Sequence, residues 1–355
     1  MSAAAPRRPL PARGRLDRAL HRLAAHATHA ALSLAGLLGG TSALAAEPAP
    51  PKPFEFVALG DMPYGAPETA YPVYQHLIGL VNAQAPAFSV HVGDFKSGSS
   101  LCSDDEFARQ RDFFNQFDSA LVYTPGDNEW TDCHRPAAGG YAPQERLEAL
   151  REMFFGAPRS LGRRPLAVER QADVQPAHAR YRENLRFTRE GVLFLTLNVP
   201  GSNNGFEPRD LAAVQEHFAR TDANLAWLQA GFEQARRQDA RAVVIAMQAD
   251  PFLGANVWSE FPSHSGFTRL FEQGLLPMVQ DWGRPVLLIH GDSHRFVIDR
   301  PFKAVKEPGK GQVLRNLLRL QVFGEQEVHA VRVTVDPANP DPFAFKPLFN
   351  PLSPR

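Results

Sequence analysis

The stretch VYTPGDNEWTDC, residues 122–133, ends an apolar run at a Gly-Asp pair and continues with polar side chains. Three further apolar runs end in the same pair, in FVALGDMPYG (residues 56–65), SVHVGDFKSG (residues 89–98) and LLIHGDSHRF (residues 287–296). A Gly at a strand end lets the backbone turn sharply, and the Asp that follows presents a carboxylate at the sheet edge. One such pair is typical of a turn or a helix N-cap. Four pairs on four predicted strands indicate a shared site, formed by Asp61, Asp94, Asp127 and Asp292.

The chain alternates short apolar runs with segments of helical spacing. The runs predict buried strands at Phe54–Leu59, Phe88–Val92, Leu121–Tyr123, Val192–Leu197, Ala242–Met247 and Val286–Ile289. The segments between them predict helices at Tyr74–Ala85, Asp105–Phe117, Gln144–Phe155, Asn224–Arg237 and Phe267–Trp282. This alternation predicts an α/β fold with a largely parallel core. Near the end, Val313–Phe323 and Val328–Val335 predict two antiparallel strands joined by a turn at Gly324 and Glu325.

The first 46 residues predict a signal peptide. A series of Arg residues precedes the apolar run AALSLAGLLGGTSALAA, residues 30–46, which ends in a small-x-small cleavage pattern. The alternative is an uncleaved membrane anchor, although the run is short for a span. A Pro-rich linker at 47–53, one domain at 54–340 and a C-terminal tail at 341–355 would follow. We therefore expect a secreted or periplasmic protein with no stable membrane anchor after cleavage.

Composition describes a folded protein. Of the 355 residues 44% are hydrophobic, and the formal net charge at pH 7 is zero. The body of the chain contains no cluster of Lys or Arg, so no nucleic-acid-binding surface is evident. The sequence is silent on the oligomeric state.

Four carboxylates at one sheet edge would repel each other and raise one another's pKa values unless cations lay between them. A metal centre, expected to hold two ions, removes this repulsion. The sequence therefore predicts metal binding at the carboxyl ends of the strands.

The motif order resembles that of the calcineurin-like metallophosphoesterases. In that family Asp-x-His follows the first strand, Gly-Asp the second and Gly-Asn-His-Glu/Asp the third, and a single His and Gly-His-x-His close later strands. The resemblance spans residues 54–335 and includes Trp227 and Leu228, where the family often has a Trp-Leu pair. It implies a four-layer α/β/β/α sandwich with the metal site at the C-terminal ends of the strands.

The first three motifs match the family in part. Asp61 corresponds to the first ligand, although Pro63 replaces the His that would follow it. Asp94 corresponds to the carboxylate that bridges two metals. Within GDNE, Asp127 takes the place of the ligand Asn, and Asn128 takes the place of the His that assists catalysis. A shift of one residue would instead make Asn128 the ligand.

The last two motifs depart further. Gln248 is the expected substitute for a ligand His, with Asp250 as the alternative. In Gly-Asp-Ser-His, Asp292 replaces the first His and His294 matches the second. Oxygen donors replace imidazoles at several positions, so we expect two divalent ions from among Mn²⁺, Mg²⁺ and Ca²⁺.

The resemblance implies hydrolysis of a small-molecule phosphoric ester by a metal-activated water. His294 would assist, but Asn128 cannot act as a general acid, so His134 is a candidate for that role. Predicted substrate contacts are Lys96 and Arg295, which closely follow Gly-Asp pairs, and Asn203, which follows another strand. The alternative is a non-catalytic binding protein on a degenerate fold of this kind. A Ser or Cys nucleophile is disfavoured because the chain lacks a G-x-S-x-G motif.

The two cysteines, Cys102 and Cys133, each lie a few residues beyond a Gly-Asp pair. If the two strands are neighbours, their loops are also neighbours, and a disulfide between them is predicted. Two unrelated buried thiols are the alternative. A disulfide agrees with an oxidising compartment outside the cytosol.

Overall fold

The computed structural model of the protein describes residues 50–252 and 265–354. The predicted signal peptide and the start of the predicted linker lie outside the described residues. None of the described helices combines the length and the apolar character needed to cross a membrane.

Twelve strands form two sheets in the described residues. They are β1 Phe54–Leu59, β2 Phe88–His91, β3 Ala120–Tyr123, β4 Glu169–Arg170, β5 Leu185–Arg189, β6 Val192–Thr196, β7 Ala242–Ala246, β8 Val286–His290, β9 Val297–Asp299, β10 Leu317–Gln321, β11 Ala330–Val335 and β12 Phe343–Leu348. The first sheet has the order β12-β11-β1-β2-β3, and the second has the order β4-β5-β6-β7-β8-β10-β9. Strands β1–β3 are parallel in the first sheet, and β6, β7, β8 and β10 are parallel in the second.

Helices cover the sheets. They are α1 Pro67–Gln84, α2 Asp104–Phe114, α3 Pro143–Phe154, α4 Gln171–Val174, α5 Leu211–Arg237, α6 Ser265–Leu270 and α7 Leu276–Trp282, with a π-helical turn at Phe271–Leu275 between the last two. Helix α5 begins well before the predicted Asn224, because the side chain of Asp210 caps it by accepting from the backbone N–H groups of Ala212 and Ala213.

One continuous hydrophobic core fills the space between the two sheets and continues onto the helix-covered face of the first sheet. Phe56 and Phe88 of the first sheet stack with ring centroids 5.1 Å apart, and Phe194 of the second sheet packs edge-on against Phe88 at 5.0 Å. The same core includes the apolar sides of α1 and α2, for example Tyr74 and Phe107. Burial on both faces explains why the central strands are continuously apolar.

A second core lies between the other sheet and its helices. It joins Val243 and Ile245 of β7 with Trp227 of α5 and Val279 of α7. The layers therefore run helices, sheet, sheet, helices. The predicted four-layer α/β/β/α architecture is confirmed.

Two predictions near the C-terminus are wrong. The segments predicted as one antiparallel pair contribute β10, which is parallel to β8 in the second sheet, and β11, which is antiparallel to β1 in the first. Both are apolar, and an apolar pattern does not specify which strand a segment will pair with. Residues 343–348, predicted to lie in a tail, form the edge strand β12 beside β11. Pro347 is tolerated there because an edge strand can lack one N–H donor.

Candidate metal centre

The four Gly-Asp pairs meet at one edge of the molecule. Carboxylate oxygens of Asp94, Asp127 and Asp292 all lie within 4.8 Å of one another. Asp61 joins them, because the backbone N–H of Asp292 donates a 2.9 Å hydrogen bond to Asp61 Oδ1. Loops from two different sheets therefore supply one cluster of carboxylates.

The glycines of the pairs make room for carboxylates from neighbouring loops. A Cβ on Gly291 would overlap Asp61 Oδ2, and a Cβ on Gly126 would overlap Asp94 Oδ1. Gly93 has a φ of +101°, and a Cβ there would come within 2.5 Å of the backbone nitrogen of Gly126. The recurring Gly is thus a requirement of the convergence as well as of the local turn.

Three of the Asp residues have left-handed backbone angles. Their φ values are +52° for Asp61, +55° for Asp94 and +77° for Asp292. Such conformations cost roughly 1–3 kcal/mol each in a residue with a side chain, and they concentrate at functional sites. Here they accompany the turn that brings each carboxylate to the shared edge.

Asp94 is held by four hydrogen bonds. Its carboxylate accepts from Tyr64 Oη at 2.9 Å, Asn128 Nδ2 at 2.8 Å, Gln248 Nε2 at 3.1 Å and the backbone N–H of Asn128 at 3.1 Å. Asn128 therefore serves as a donor to Asp94, whereas Asp127 lies in the carboxylate cluster. This geometry favours Asp127 over Asn128 as a ligand.

Gln248 and Asp250 have different positions. Gln248 contacts Asp94 directly, and its other amide atom, Oε1, accepts from the backbone N–H of Gly201. The backbone N–H of Asp250 donates to Asp292 Oδ2 at 3.0 Å, while its carboxylate accepts from the Ser293 hydroxyl at 2.6 Å. Gln248 therefore lies at the carboxylate cluster. Asp250 contacts the cluster only through its backbone N–H, which donates to Asp292 in the described residues.

His294 lies at the rim of the centre. Its Nε2 is 3.9 Å from Asp61 Oδ1, and its Nδ1 is 3.0 Å from Glu325 Oε2. The ring also packs edge-on against Tyr64, with centroids 5.3 Å apart. Tyr64 therefore contacts His294, Asn128 and Asp94, a central position that the motifs did not indicate, although it lies only three residues after Asp61.

Glu129 ties the loops after β2 and β3 together. Its buried carboxylate accepts from the backbone N–H groups of Asp94 at 3.0 Å and Gly126 at 2.8 Å, and from the Tyr123 hydroxyl at 2.8 Å. Burial raises the pKa of the Glu129 carboxyl, and these hydrogen bonds, which favour its charged form, counteract part of that rise. Glu129 is the last residue of the GDNE motif, so its place in that motif was the signal for its importance.

The carboxylates have two features that are expected of a cation site. Burial raises the pKa values of Asp61, Asp94 and Asp292, and the neighbouring carboxylates raise them further. Asp61 Oδ2 and Asp127 Oδ1 are buried without a hydrogen-bond partner among the described residues. Unpaired buried oxygens within a cluster of carboxylates fit a divalent cation with oxygen ligands.

A disulfide joins Cys102 and Cys133, as predicted, with Cα atoms 5.8 Å apart. It connects the loop after β2 to the loop after β3. The two sulfur atoms lie 3.5 and 3.7 Å from the backbone oxygen of Asn128. The disulfide therefore lies directly against the backbone of the GDNE loop.

Two predicted site residues form no described hydrogen bond with the clustered carboxylates. Lys96 is buried and donates through Nζ to the backbone oxygens of Ser97 at 3.1 Å and Ser100 at 3.0 Å. Two of the three Nζ hydrogens are thus used by the loop after β2, and the role of Lys96 as a phosphate contact stays a prediction. His134 is exposed, with Nδ1 2.7 Å from the backbone oxygen of Thr131, and belongs to a cavity wall instead of the cluster.

The two remaining candidates also differ. Asn203 lies in the same cavity wall, where its Nδ2 donates to the backbone oxygen of Phe206 and its Oδ1 accepts from the backbone N–H of Gly266. Arg295 is exposed just after His294. Neither contacts the carboxylates through a described hydrogen bond.

A cavity of about 950 Å³ adjoins the centre. Ser202, in a segment after β6 where it has a φ of +48°, lies on the cavity wall. Its hydroxyl oxygen is 2.7 Å from Asp127 Oδ2 and 2.9 Å from Asp132 Oδ1. Burial, with nearby Asp127, raises the pKa of Asp132 to about 7. Sequence reasoning missed Ser202 and Asp132, although both follow strands that end at this edge.

No protein-family model and no curated protein matches the chain. Solved structures that are similar include a dimetal phosphatase from Danio rerio, 11% identical, with a TM-score of 0.47 over 84% of this chain and 99% of that chain. GAP50, the anchor in the inner membrane complex of Plasmodium, is 11% identical, with a TM-score of 0.44 over 84% of this chain and 89% of that chain. A purple acid phosphatase from yellow lupin (Lupinus luteus) seeds is 11% identical, with a TM-score of 0.45 over 84% of this chain and 54% of that chain. These values describe a distant likeness and carry no information on activity.

The motif order predicted the architecture that the structure has. Two sheets lie face to face between helical layers. Three strands of the first sheet and one of the second end in Gly-Asp at a common edge. The described residues therefore have the predicted four-layer α/β/β/α architecture.

Proposed function

We propose that the chain is a metal-dependent hydrolase of small-molecule phosphoric esters, secreted or periplasmic. The observation that carries the proposal is the convergence of Asp94, Asp127 and Asp292, with Asp61 beside them, at the carboxyl ends of strands from both sheets. Open α/β sheets bind ligands at that edge. A cluster of buried carboxylates with no cation would be strongly self-repelling, so a cation-dependent activity accounts for its presence.

The ligands divide into two groups. Asp94, Asp127 and Asp292 would hold one divalent ion, since their oxygens lie within 4.8 Å of one another. Asp61 and His294 would contribute to a second, because His294 Nε2 is 3.9 Å from Asp61 Oδ1. The donors are mainly oxygen, which favours Mn²⁺, Mg²⁺ or Ca²⁺ over Zn²⁺.

The chemistry that two bound cations supply is activation of a water and neutralisation of charge on the phosphate oxygens. The chain's own residues orient the ligands. Asn128, Tyr64 and Gln248 fix Asp94 with hydrogen bonds, and Glu129 holds the loop that carries Asp127. Asn128 donates hydrogen bonds but cannot deliver a proton at neutral pH, so esters with good leaving groups would be favoured.

The location rests on two features. The Cys102–Cys133 disulfide is typical of an oxidising compartment. The Arg-rich, then apolar, N-terminal sequence has the pattern of a signal peptide. Secretion is tested by N-terminal sequencing of the chain recovered from outside the cytoplasm, where a start near residue 47 is expected.

The activity is tested with p-nitrophenyl phosphate and its bis-ester. The chain from Glu47 onward is stripped of metal and then assayed with Mn²⁺, Mg²⁺, Ca²⁺ or Zn²⁺. We expect turnover only with added metal, and we expect Asp94→Asn to abolish it. Asp341→Asn, which removes a charge in an exposed ion pair with Arg300, is the matched control and should keep the activity.

A second candidate is a non-catalytic binding protein of the same fold. It is favoured by Asn128 and Gln248, amides that stand where the family resemblance implies His, and that both donate to Asp94. A folded chain that binds divalent cations by calorimetry, yet hydrolyses neither ester with any of them, would support this candidate and contradict the hydrolase.

A further inference from the structure

We propose that the cavity beside the carboxylate cluster holds the alcohol portion of the ester and selects alcohols that carry no negative charge. The inference rests on the proposed phosphoesterase function and names the substrate class for it. The cavity of about 950 Å³ is large enough for a small-molecule substituent.

The cavity and the cluster share residues. Ser202 lines the cavity, and its hydroxyl oxygen is 2.7 Å from Asp127 Oδ2. Asp132 lines it too and lies 2.9 Å from the same hydroxyl oxygen. A phosphate bound at the cluster would therefore have one of its ester substituents directed along this wall.

The cations near the cavity are already paired with acids. Arg135 pairs with Asp132 at 2.7 Å, and Arg209 contacts both carboxylate oxygens of Glu207 at 2.8 Å. The buried Arg220, behind the wall, pairs with the wall residue Glu216 at 2.9 Å. Each of these guanidinium charges is thus paired with a neighbouring carboxylate, and the described wall contains no further Arg.

A surplus carboxylate remains. Asp210 lines the cavity, is exposed, and accepts hydrogen bonds only from backbone N–H groups of Ala212 and Ala213 among its described contacts. The wall described by the structure contains no Lys. A second negative charge on the alcohol would therefore meet repulsion without compensation.

The rest of the wall offers apolar contact. Phe206 is fixed by ring contacts with His217, at 4.8 Å between centroids, and with Phe218 at 5.9 Å. Pro143 and Pro208 also line the cavity. Rigid apolar groups beside a slightly acidic wall suit a neutral or cationic alcohol.

The test uses a matched pair of phosphate monoesters. Glycerol 3-phosphate and 3-phosphoglycerate are similar in size, and the second carries an additional carboxylate. With the activating metal present, we expect kcat/KM for glycerol 3-phosphate to exceed that for 3-phosphoglycerate by about tenfold or more, mainly through KM, with phosphocholine at least equal to glycerol 3-phosphate. The preference should shrink at high salt, because screening weakens charge repulsion at a partly exposed wall.

One variant checks the assigned charges. Glu207→Gln frees the guanidinium of Arg209, so it should raise relative activity toward 3-phosphoglycerate several-fold. Glu233→Gln is the matched control, because it releases Arg237 within helix α5, outside the cavity wall. It should leave the preference unchanged.

The outcomes separate this inference from the function on which it depends. Equal kcat/KM values for the two monoesters, or no effect of Glu207→Gln on their ratio, overturn the charge selection and leave the hydrolase intact. Loss of all turnover with every metal overturns the hydrolase. In that case, calorimetry with the phosphonate analogues of both compounds decides the cavity: preferential binding of the analogue that lacks the carboxylate supports selection, and equal or absent binding overturns it.

Discussion

The backbone N–H of Asp292 donates a 2.9 Å hydrogen bond to Asp61 Oδ1, although the two residues are 231 positions apart in the chain. Asp61 follows the central strand of the first sheet, and Asp292 follows a strand of the second. The bond therefore joins the two sheets at the edge where the carboxylates converge. It brings two acidic groups together in a buried place, so the effect of their charge on stability can be tested by substitution.

Asp61→Asn should stabilise the metal-free protein at pH 7.5. Burial and the neighbouring carboxylates raise the pKa of Asp61 in the folded chain, so its ionisation costs stability as pH rises from the unfolded pKa near 4 through the folded pKa. The gain in the variant is about 1.4 kcal/mol for each unit by which the pKa is raised.

The measurement is urea unfolding of metal-free wild type and variant across pH. At pH values below the unfolded pKa both carry an uncharged group at this position, so the difference should disappear there. Added Mn²⁺ should stabilise the wild type more than the variant. A variant that is less stable than wild type at pH 7.5 without metal would contradict buried charge repulsion at this position.

Gly291→Ala should weaken metal binding strongly. A Cβ at this position overlaps Asp61 Oδ2, so the carboxylate must move away from the cluster. We expect at least a tenfold loss of metal affinity by calorimetry, the equivalent of about 1.4 kcal/mol.

The matched control is Gly79→Ala on the exposed side of α1, where an added Cβ meets nothing within 4 Å. It should raise the free energy of unfolding by about 0.5–1 kcal/mol, because Ala is the better helix former, and leave metal affinity alone. Unchanged affinity in Gly291→Ala would show that Asp61 is not a ligand.

Glu129→Gln should lower both stability and metal affinity. The carboxylate accepts from two backbone N–H groups and one hydroxyl, and a neutral amide accepts with only one of its two groups. The expected cost is about 1–3 kcal/mol in the free energy of unfolding. Glu152→Gln, in an exposed part of α3, is a control of the same chemistry. Equal stability of the two variants would contradict the assignment of Glu129 as the residue that ties the loops after β2 and β3 together.

Loss of the Cys102–Cys133 disulfide should destabilise the folded chain. The bond closes a loop with a sequence separation of 31 residues, for which loop-closure entropy gives about 3–4 kcal/mol. Unfolding of the Cys102→Ser/Cys133→Ser double variant, compared with wild type with and without reductant, measures the effect. Because the sulfurs contact the Asn128 backbone, activity should also fall before global unfolding. A reduced chain with unchanged stability and activity would contradict this.

The sequence by itself determined where the central strands lie and that their ends carry Asp. β1 was predicted with the bounds it has, and β2, β3 and β6 to β8 within one residue at each end. The reason is that a strand buried on both faces must be apolar throughout, and a Gly-Asp pair follows β1, β2, β3 and β8. The disulfide was also readable, because two cysteines just beyond neighbouring parallel strands lie close in space.

Only the tertiary structure decided which residues face the centre. Asp127 and Asn128 are neighbours in the chain, and Gln248 and Asp250 are separated by one residue, so the sequence does not distinguish which member of each pair faces the carboxylate cluster. Left-handed backbone angles at Asp61, Asp94 and Asp292 set the side-chain directions there. The Lys96 side chain points into its own loop, where its Nζ donates to two backbone oxygens. The tertiary structure also decided that β10 and β11 lie in different sheets, where the sequence had predicted one antiparallel pair. An apolar pattern encodes burial, whereas strand partners and loop directions depend on contacts between residues distant in the chain.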